Sequence, residues 1–234
     1  MTVRRFGVAA AATGTVEAVP AQRRVRVPVR GGAAGAVGAA AGAGAVRDLR
    51  GGPAQGPRRL GFAVGDIVVV SGLPGGGKTT LIKRAVAEGG AIDSQDARER
   101  WERRMPAALP YGVYRPLVRA AHYWGLWRAL RSGASVVVHD CGTQSWVRGL
   151  LAAAARRRGR ALHLLLLDSS AEEALAGQEA RGRRVSAYAF ARHRGAVGRL
   201  LRDAESGHPP AGCASATLLD RRAASEVTTI TFHP

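Results

Sequence analysis

Lysine is almost missing from this chain: Lys78 and Lys83 are the only two among its 35 basic side chains. The formal charge of +18 is therefore carried by arginine. Together with an excess of alanine and glycine, that bias reads as GC-rich coding rather than as a selected polyanion-binding surface. The charge is also spread out, with ten arginines against Glu17 and Asp48 in residues 1–60 and a net +10 left for the remainder. A nucleic-acid partner is compatible with such a charge but is not favoured by it. Cysteine is equally scarce. Cys141 and Cys213 stand far apart with no CxxC pair, which excludes a zinc ribbon and a disulfide framework. Free thiols fit a reducing compartment, and the chain is read as cytoplasmic. No apolar run approaches the roughly 18–20 residues that a membrane-spanning helix needs. The longest, Leu162 to Leu167, is strand length and carries His163 inside it. Aromatics make up only 5% of the residues, so the core must be assembled from Val, Leu and Ala.

Two compositions follow one another along the chain. Residues 1–60 are rich in Ala, Gly, Arg and Pro, and Gly31 to Ala45 is almost wholly Ala, Gly and Val. Such a segment cannot bury enough apolar area to offset the entropy of ordering it, so a disordered arm is expected. Residues 61–234 alternate strand and helix signals instead. Ile67 to Val70 is a β-branched run introduced by Gly65-Asp66, and Lys78 to Glu88 is a helix stopped by Gly89-Gly90. Short strands are expected at Ala91-Ile92, Val136 to Val138, Leu162 to Leu167, Ala216 to Leu219 and Val227 to Phe232. Helices fall between them, including one from about Pro116 to Arg131. The alternation predicts an α/β three-layer sandwich around a mostly parallel five-stranded sheet.

The chemistry is concentrated in Gly72-Leu73-Pro74-Gly75-Gly76-Gly77-Lys78-Thr79, followed by Thr80, which fits G-x-x-x-x-G-K-S/T at every fixed position. Glycines let successive amides turn inward on phosphate oxygens, and the loop feeds a helix N-terminus whose partial charge favours an anion. Lys78 would reach the β- and γ-phosphates, and the Thr79 hydroxyl would ligate magnesium. Placement between a β-branched strand and a helix separates this motif from chance in a chain with 31 glycines. ATP with Mg2+ is the expected ligand. A guanine-specific Asn/Thr-Lys-x-Asp sequence does not occur.

From residue 66 to about 205, the chain resembles the small P-loop kinases grouped with polynucleotide kinase and zeta-toxin-like ATPases. That resemblance implies a P-loop NTPase fold and phosphoryl transfer to a hydroxyl. It implies a general base near Asp93 or Asp96 with Arg98 beside it, although a strict D-x-x-R alignment puts Gln95 where the base belongs. Val136 to Asp140 resembles a Walker B strand, which would place Asp140 near the magnesium. Arg148 stands where such kinases carry an arginine facing substrate, and Arg181 and Arg184 where they carry a mobile arginine lid. The aromatic-rich stretch from Trp101 to Trp127 lies where they cover the acceptor pocket, and its rings would either stack on substrate or fill core. The expectation is an ATP-dependent kinase whose acceptor is a small molecule, a nucleoside or a polynucleotide end. The alternative is an ATP-driven switch without an acceptor.

Overall fold

The tetrapeptide Ile67-Val68-Val69-Val70 has no polar side chain, so a strand made from it needs cover on both faces. In the computed structural model of the chain it lies at the centre of a sheet and is fully buried. The structure describes residues 45–53, 56, 58–87, 90–92, 94–106, 109–139, 144–182 and 185–234, without the side chains of 94–97 and 111. Most of the arm, with Asp93, Asp140, Cys141 and Arg184, lies outside the described residues, as does the side chain of Asp96.

Along the chain the strands are β1 (Ala45–Asp48), β2 (Arg58–Ala63), β3 (Ile67–Gly72), β4 (Ala91–Ile92), β5 (Val136–His139), β6 (Leu162–Leu167), β7 (Ser215–Leu219) and β8 (Val227–His233). The helices are α1 (Lys78–Ala85), α2 (Ser94–Glu102), α3 (Tyr111–Arg131), α4 (Ser145–Arg156), α5 (Ala171–Glu179), α6 (Ala187–Glu205) and α7 (Arg221–Glu226). Six strands form one sheet in the order β1-β7-β6-β3-β5-β4, with every neighbouring pair parallel.

The expected five strands are thus six, and the sixth comes from the stretch assigned to the arm. Ala45–Asp48 pairs with Ser215 to Leu218 at the sheet edge. Four residues ending in Arg47-Asp48 carry almost no strand signal of their own, and the edge of β7 supplies what they lack. The expected C-terminal strand forms as β8, which stays out of the main sheet and pairs parallel with β2 in a separate two-stranded ribbon. A second correction concerns α3, which starts at Tyr111 rather than near Pro116 and keeps that proline inside. The amide Pro116 lacks would have bonded the carbonyl of Gly112, an exposed first-turn residue that water can reach.

Period-two alternation sorts the strand side chains into two cores. Ile67, Val69, Val136, Val138, Leu164 and Leu166 face the layer of α3 to α6, meeting Leu126, Leu151, Phe190 and Val197. Val68, Val70, Val137, Leu165 and Leu167 face α1, α7 and the ribbon, meeting Leu81, Ala223, Phe62 and Ile230. The ribbon therefore does on this face what a helix would otherwise do. Arg58 closes its open end by an ion pair of 2.8 Å to Glu226.

His163 breaks the apolar run of β6 because it completes a buried polar chain. Its Nδ1 lies 2.7 Å from Ser215 Oγ and its Nε2 lies 3.0 Å from Asp66 Oδ2. Asp66 also accepts the amides of Ala161 and Ala63 at 2.9 and 3.1 Å. Ser215 is 1% exposed, so this Asp-His-Ser chain ties three strand starts together and has no opening for a substrate.

Candidate functional site

The glycine-rich loop leaves the sheet at the C-terminal end of β3, where the chain has neighbours β5 on one side and β6 on the other. That is the point at which the strand order reverses, the place where open parallel sheets leave a crevice. Gly72 closes β3, and α1 begins at Lys78. At the N-cap, Gly77 has φ 93° and ψ 1°, a left-handed conformation that side chains resist. No side chain caps α1, and its first turn holds no acid. The leading amides thus keep their partial positive charge for an anion.

A second wall comes from α5. A Cβ placed on Gly75 would lie 2.0 Å from the carbonyl oxygen of Ala174, and one on Gly177 would lie 2.3 Å from that of Gly75. Loop and helix are in backbone contact, and only glycine permits it. Gln178 reinforces the contact: its Nε2 donates to Pro74 O at 3.0 Å, while its Oε1 accepts from Val185 N at 3.0 Å. A capping box holds the start of α5, with Glu173 N donating to Ser170 Oγ and Ser170 N donating to Glu173 Oε2. Neither Gly177 nor Gln178 is signalled by the motif. A glycine inside a helical pattern, four residues before the basic run that starts at Arg181, is the one hint in the sequence.

Lys78 is 5% exposed, and its Nζ donates to the carbonyls of Gly72 and Leu73 at 2.9 and 2.8 Å. These bonds bend the ammonium back along the loop it serves. Among the described residues, the buried hydroxyls of Ser71 and Ser169 have no hydrogen-bond partner. Ser169 Oγ would stand 2.5 Å from a Cβ on Gly76, so it lies directly against the loop. Buried orphan hydroxyls are uncommon, and that of Ser169, set against the loop, fits a polar ligand. The positively charged, glycine-rich cradle suits a polyphosphate, and the Thr79 hydroxyl on its first helical turn is a suitable oxygen donor for a hard divalent cation.

The remaining expected site residues divide. Arg181, just past α5, donates from Nη2 to Thr80 Oγ1 at 2.9 Å, so it stands beside the first turn of α1. Arg98 pairs with Glu102 at 2.6 Å, one turn along α2. Arg148 is buried, and its Nε donates to Ala211 O at 2.9 Å in the loop before β7. The aromatics of α3 split as well: Tyr114 is buried and Tyr123 half-buried, whereas Trp124 and Trp127 face solvent. Farther along the same edge, Arg50 bonds Asp48, Asp168 and Glu205 at 2.7, 2.6 and 2.8 Å. The Arg50 guanidinium holds the Asp48 carboxyl below its usual range.

A β3–glycine loop–α1 cradle at the reversal point of a parallel sheet defines a P-loop nucleotide-binding protein of the kinase-like class. More particularly, the chain belongs to the AAA domain family, whose model matches residues 67–204. Among solved structures it is similar to one from the PezAT toxin–antitoxin system of Streptococcus pneumoniae. The two share 16% identity and a TM-score of 0.51, over 74% of this chain and 72% of that one. It is also similar to a chain of the Pnkp1/Rnl/Hen1 RNA repair complex, at 13% identity and TM-score 0.45. That match covers 62% of this chain and 46% of the other, so this chain spans less than half of that relative. A gluconokinase from Sinorhizobium meliloti 1021 is similar at 18% identity and TM-score 0.39, over 70% of this chain and 92% of that one. At such identities the likeness is one of fold. No curated protein matches the sequence.

Proposed function

We propose that the chain is a kinase that transfers the γ-phosphoryl group of Mg-ATP to a hydroxyl acceptor in the cytoplasm. The observation that carries this reading is the uncapped amide cradle of Gly72 to Thr79, braced by α5 and lined by Lys78. The amides of residues 73–80 would hold the triphosphate, and the Lys78 ammonium would swing from the carbonyls of Gly72 and Leu73 to the β- and γ-oxygens. Magnesium, held by Thr79 and Asp140, would supply charge neutralisation at those oxygens. The acceptor oxygen forms the new bond to Pγ as the bond to the bridging oxygen breaks and ADP leaves. Its proton passes to Asp93 or Asp96, with Arg98 orienting the base. Arg181, already beside Thr80, and Arg184 would stabilise charge on the transferred group. The contact of Arg148 with Ala211 supports a role in fixing the start of α4 more than one in touching substrate. Residues 1–44 of the arm take no part in this reading.

A second reading, an ATP-driven switch without an acceptor, is favoured by Gln95 standing where a D-x-x-R base is expected. ATP turnover measured with and without a panel of sugars, nucleosides and 5′-hydroxyl oligonucleotides separates the two. Acceptor-dependent turnover with a phosphorylated product supports the kinase. Slow, acceptor-independent hydrolysis supports the switch. Lys78→Ala is expected to lower either activity at least about hundredfold, by losing transition-state charge stabilisation of a few kcal/mol, while the fold survives. Unchanged turnover in that variant would defeat both readings.

A further inference from the structure

Helix α3 is apolar on two opposite sides. Tyr114, Val118 and Leu126 turn inward and are buried. On the opposite side stand Val113, Leu117, Trp124 and Trp127, which are 63, 51, 63 and 46% exposed. A surface helix ordinarily carries one apolar stripe, turned to the core, so a second stripe on the far side calls for a second cover.

The outward row has an order that identifies its cover. Val113, Leu117, Ala120, Trp124, Trp127 and Arg131 follow one another at intervals of four, three, four, three and four. This is the 3.5-residue repeat of a coiled-coil seam, in which Leu117, Trp124 and Arg131 take one seam position and Val113, Ala120 and Trp127 the other. Reversed end for end, the row maps onto itself. Val113 then falls opposite Arg131, Leu117 opposite Trp127 and Ala120 opposite Trp124. Each pair joins one seam position to the other, as antiparallel packing requires. Sizes also match, since the bulky half of one helix meets the small half of the other.

We propose that α3 packs antiparallel against α3 of a second copy of this chain across a two-fold axis, with Trp124 of each copy seated over Ala120 of the other. An isologous contact needs a self-complementary surface, and this row is one. Its flanks carry no opposed like charges. Arg115 and Arg119 lie off the row, Arg128 comes against the end of the other helix that carries no charge on this flank, and the Arg131 guanidinium is folded 4.8 Å over the Trp127 ring. Trp124 and Trp127 stack on each other at 4.9 Å, so they enter the contact as one rigid block. The apolar surface continues onto α4, where exposed Trp146 lies 6.3 Å from Tyr123 and Leu150 is also exposed. A contiguous patch of this extent marks an association surface on a water-soluble fold.

The test is sedimentation equilibrium of the full chain over a range of concentrations. The wild type is expected to dimerise. Trp124→Ala should weaken the dimer at least tenfold, and Ala120→Trp should abolish it because two indoles then compete for one space. The double variant Ala120→Trp/Trp124→Ala, which only exchanges the partners, should restore it. All positions are exposed, and unchanged circular dichroism of each variant separates loss of association from loss of fold. A wild type that stays monomeric throughout, an Ala120→Trp variant that still dimerises, or a double variant that stays monomeric would each overturn the proposal. So would a monomer whose tryptophan emission shifts only on adding phosphatidylglycerol vesicles or a single-stranded oligonucleotide.

Discussion

Gly177→Ala separates the cost of backbone contact from helix propensity. In the middle of a helix, alanine normally improves on glycine by roughly 0.5–1 kcal/mol. Gly149, exposed in α4 with nothing within 4 Å of an added Cβ, is the control and should show that gain. At Gly177 the same Cβ would meet Gly75 O at 2.3 Å, well inside ordinary contact, and the obstacle is backbone that cannot rotate away. Loop and helix must separate by roughly 1 Å, at the ~1–3 kcal/mol typical of overpacking. Set against the propensity gain, the net effect is a loss of about 0–2.5 kcal/mol in urea denaturation. The functional effect is larger, because the separation moves the amides of the cradle: a displacement of ~1 Å lowers turnover on the order of a hundredfold. Titration with a fluorescent ATP analogue and steady-state turnover provide the second measurement. If Gly177→Ala were stabilised as much as Gly149→Ala and bound and turned over ATP normally, α5 would not shape the loop.

Other perturbations have equally definite outcomes. Gln178→Ala removes the bonds to Pro74 O and Val185 N, and a loss of about 1–3 kcal/mol with weaker ATP binding is expected from denaturation and titration. Burial pushes the Cys213 thiol up to about 11, a shift that nearby Arg148 partly opposes. In a Cys141→Ser background, Cys213 should therefore resist iodoacetamide at pH 8 in the folded chain and react once the chain is unfolded in urea. Because that shift is upward, its contribution to stability is complete below the unfolded thiol value and is lost as pH rises through 9 to about 11. For Asp220, burial raises the carboxyl, but the amides of Ala223 and Gly51 together with the amide and charge of Arg222 offset it and leave the group lowered. Its contribution is present above about pH 4 and lost as pH falls below. Asp220→Ala should remove the cap of α7, about 1 kcal/mol, and flatten the acid limb of the stability curve.

The loop was legible because its chemistry is local: eight consecutive residues carry it, and flanking strand and helix signals place it. β3, β5 and β6 were legible for a related reason, since a run such as Val136 to Val138 has little choice but burial. What escaped depends on contacts distant in sequence. Nothing in Ala45–Asp48 announces a strand until β7 is beside it, and Leu60 and Phe62 alternate too briefly, beside Arg58-Arg59, to predict β2. The wall formed by Gly177, Gln178 and Ser169 lies about a hundred residues from the loop it braces. The aromatics of α3 were read as core or pocket. Counting residue types could not assign Tyr114 inward and Trp124 outward; helical phase does.

The β2–β8 ribbon has a consequence for biosynthesis. Arg58 and Glu226, which close it, are 168 residues apart, so a ribosome releases β2 long before its mate is translated. Until then Leu60 and Phe62 have no lining from Ile230, and the edge of β2 offers unpaired amides to any neighbouring nascent chain. The ribbon is therefore completed only once Val227–His233 has been made and has paired with β2. A premature stop codon just ahead of Val227 would spare the cradle, the main sheet and every candidate catalytic side chain, yet should yield an aggregating product.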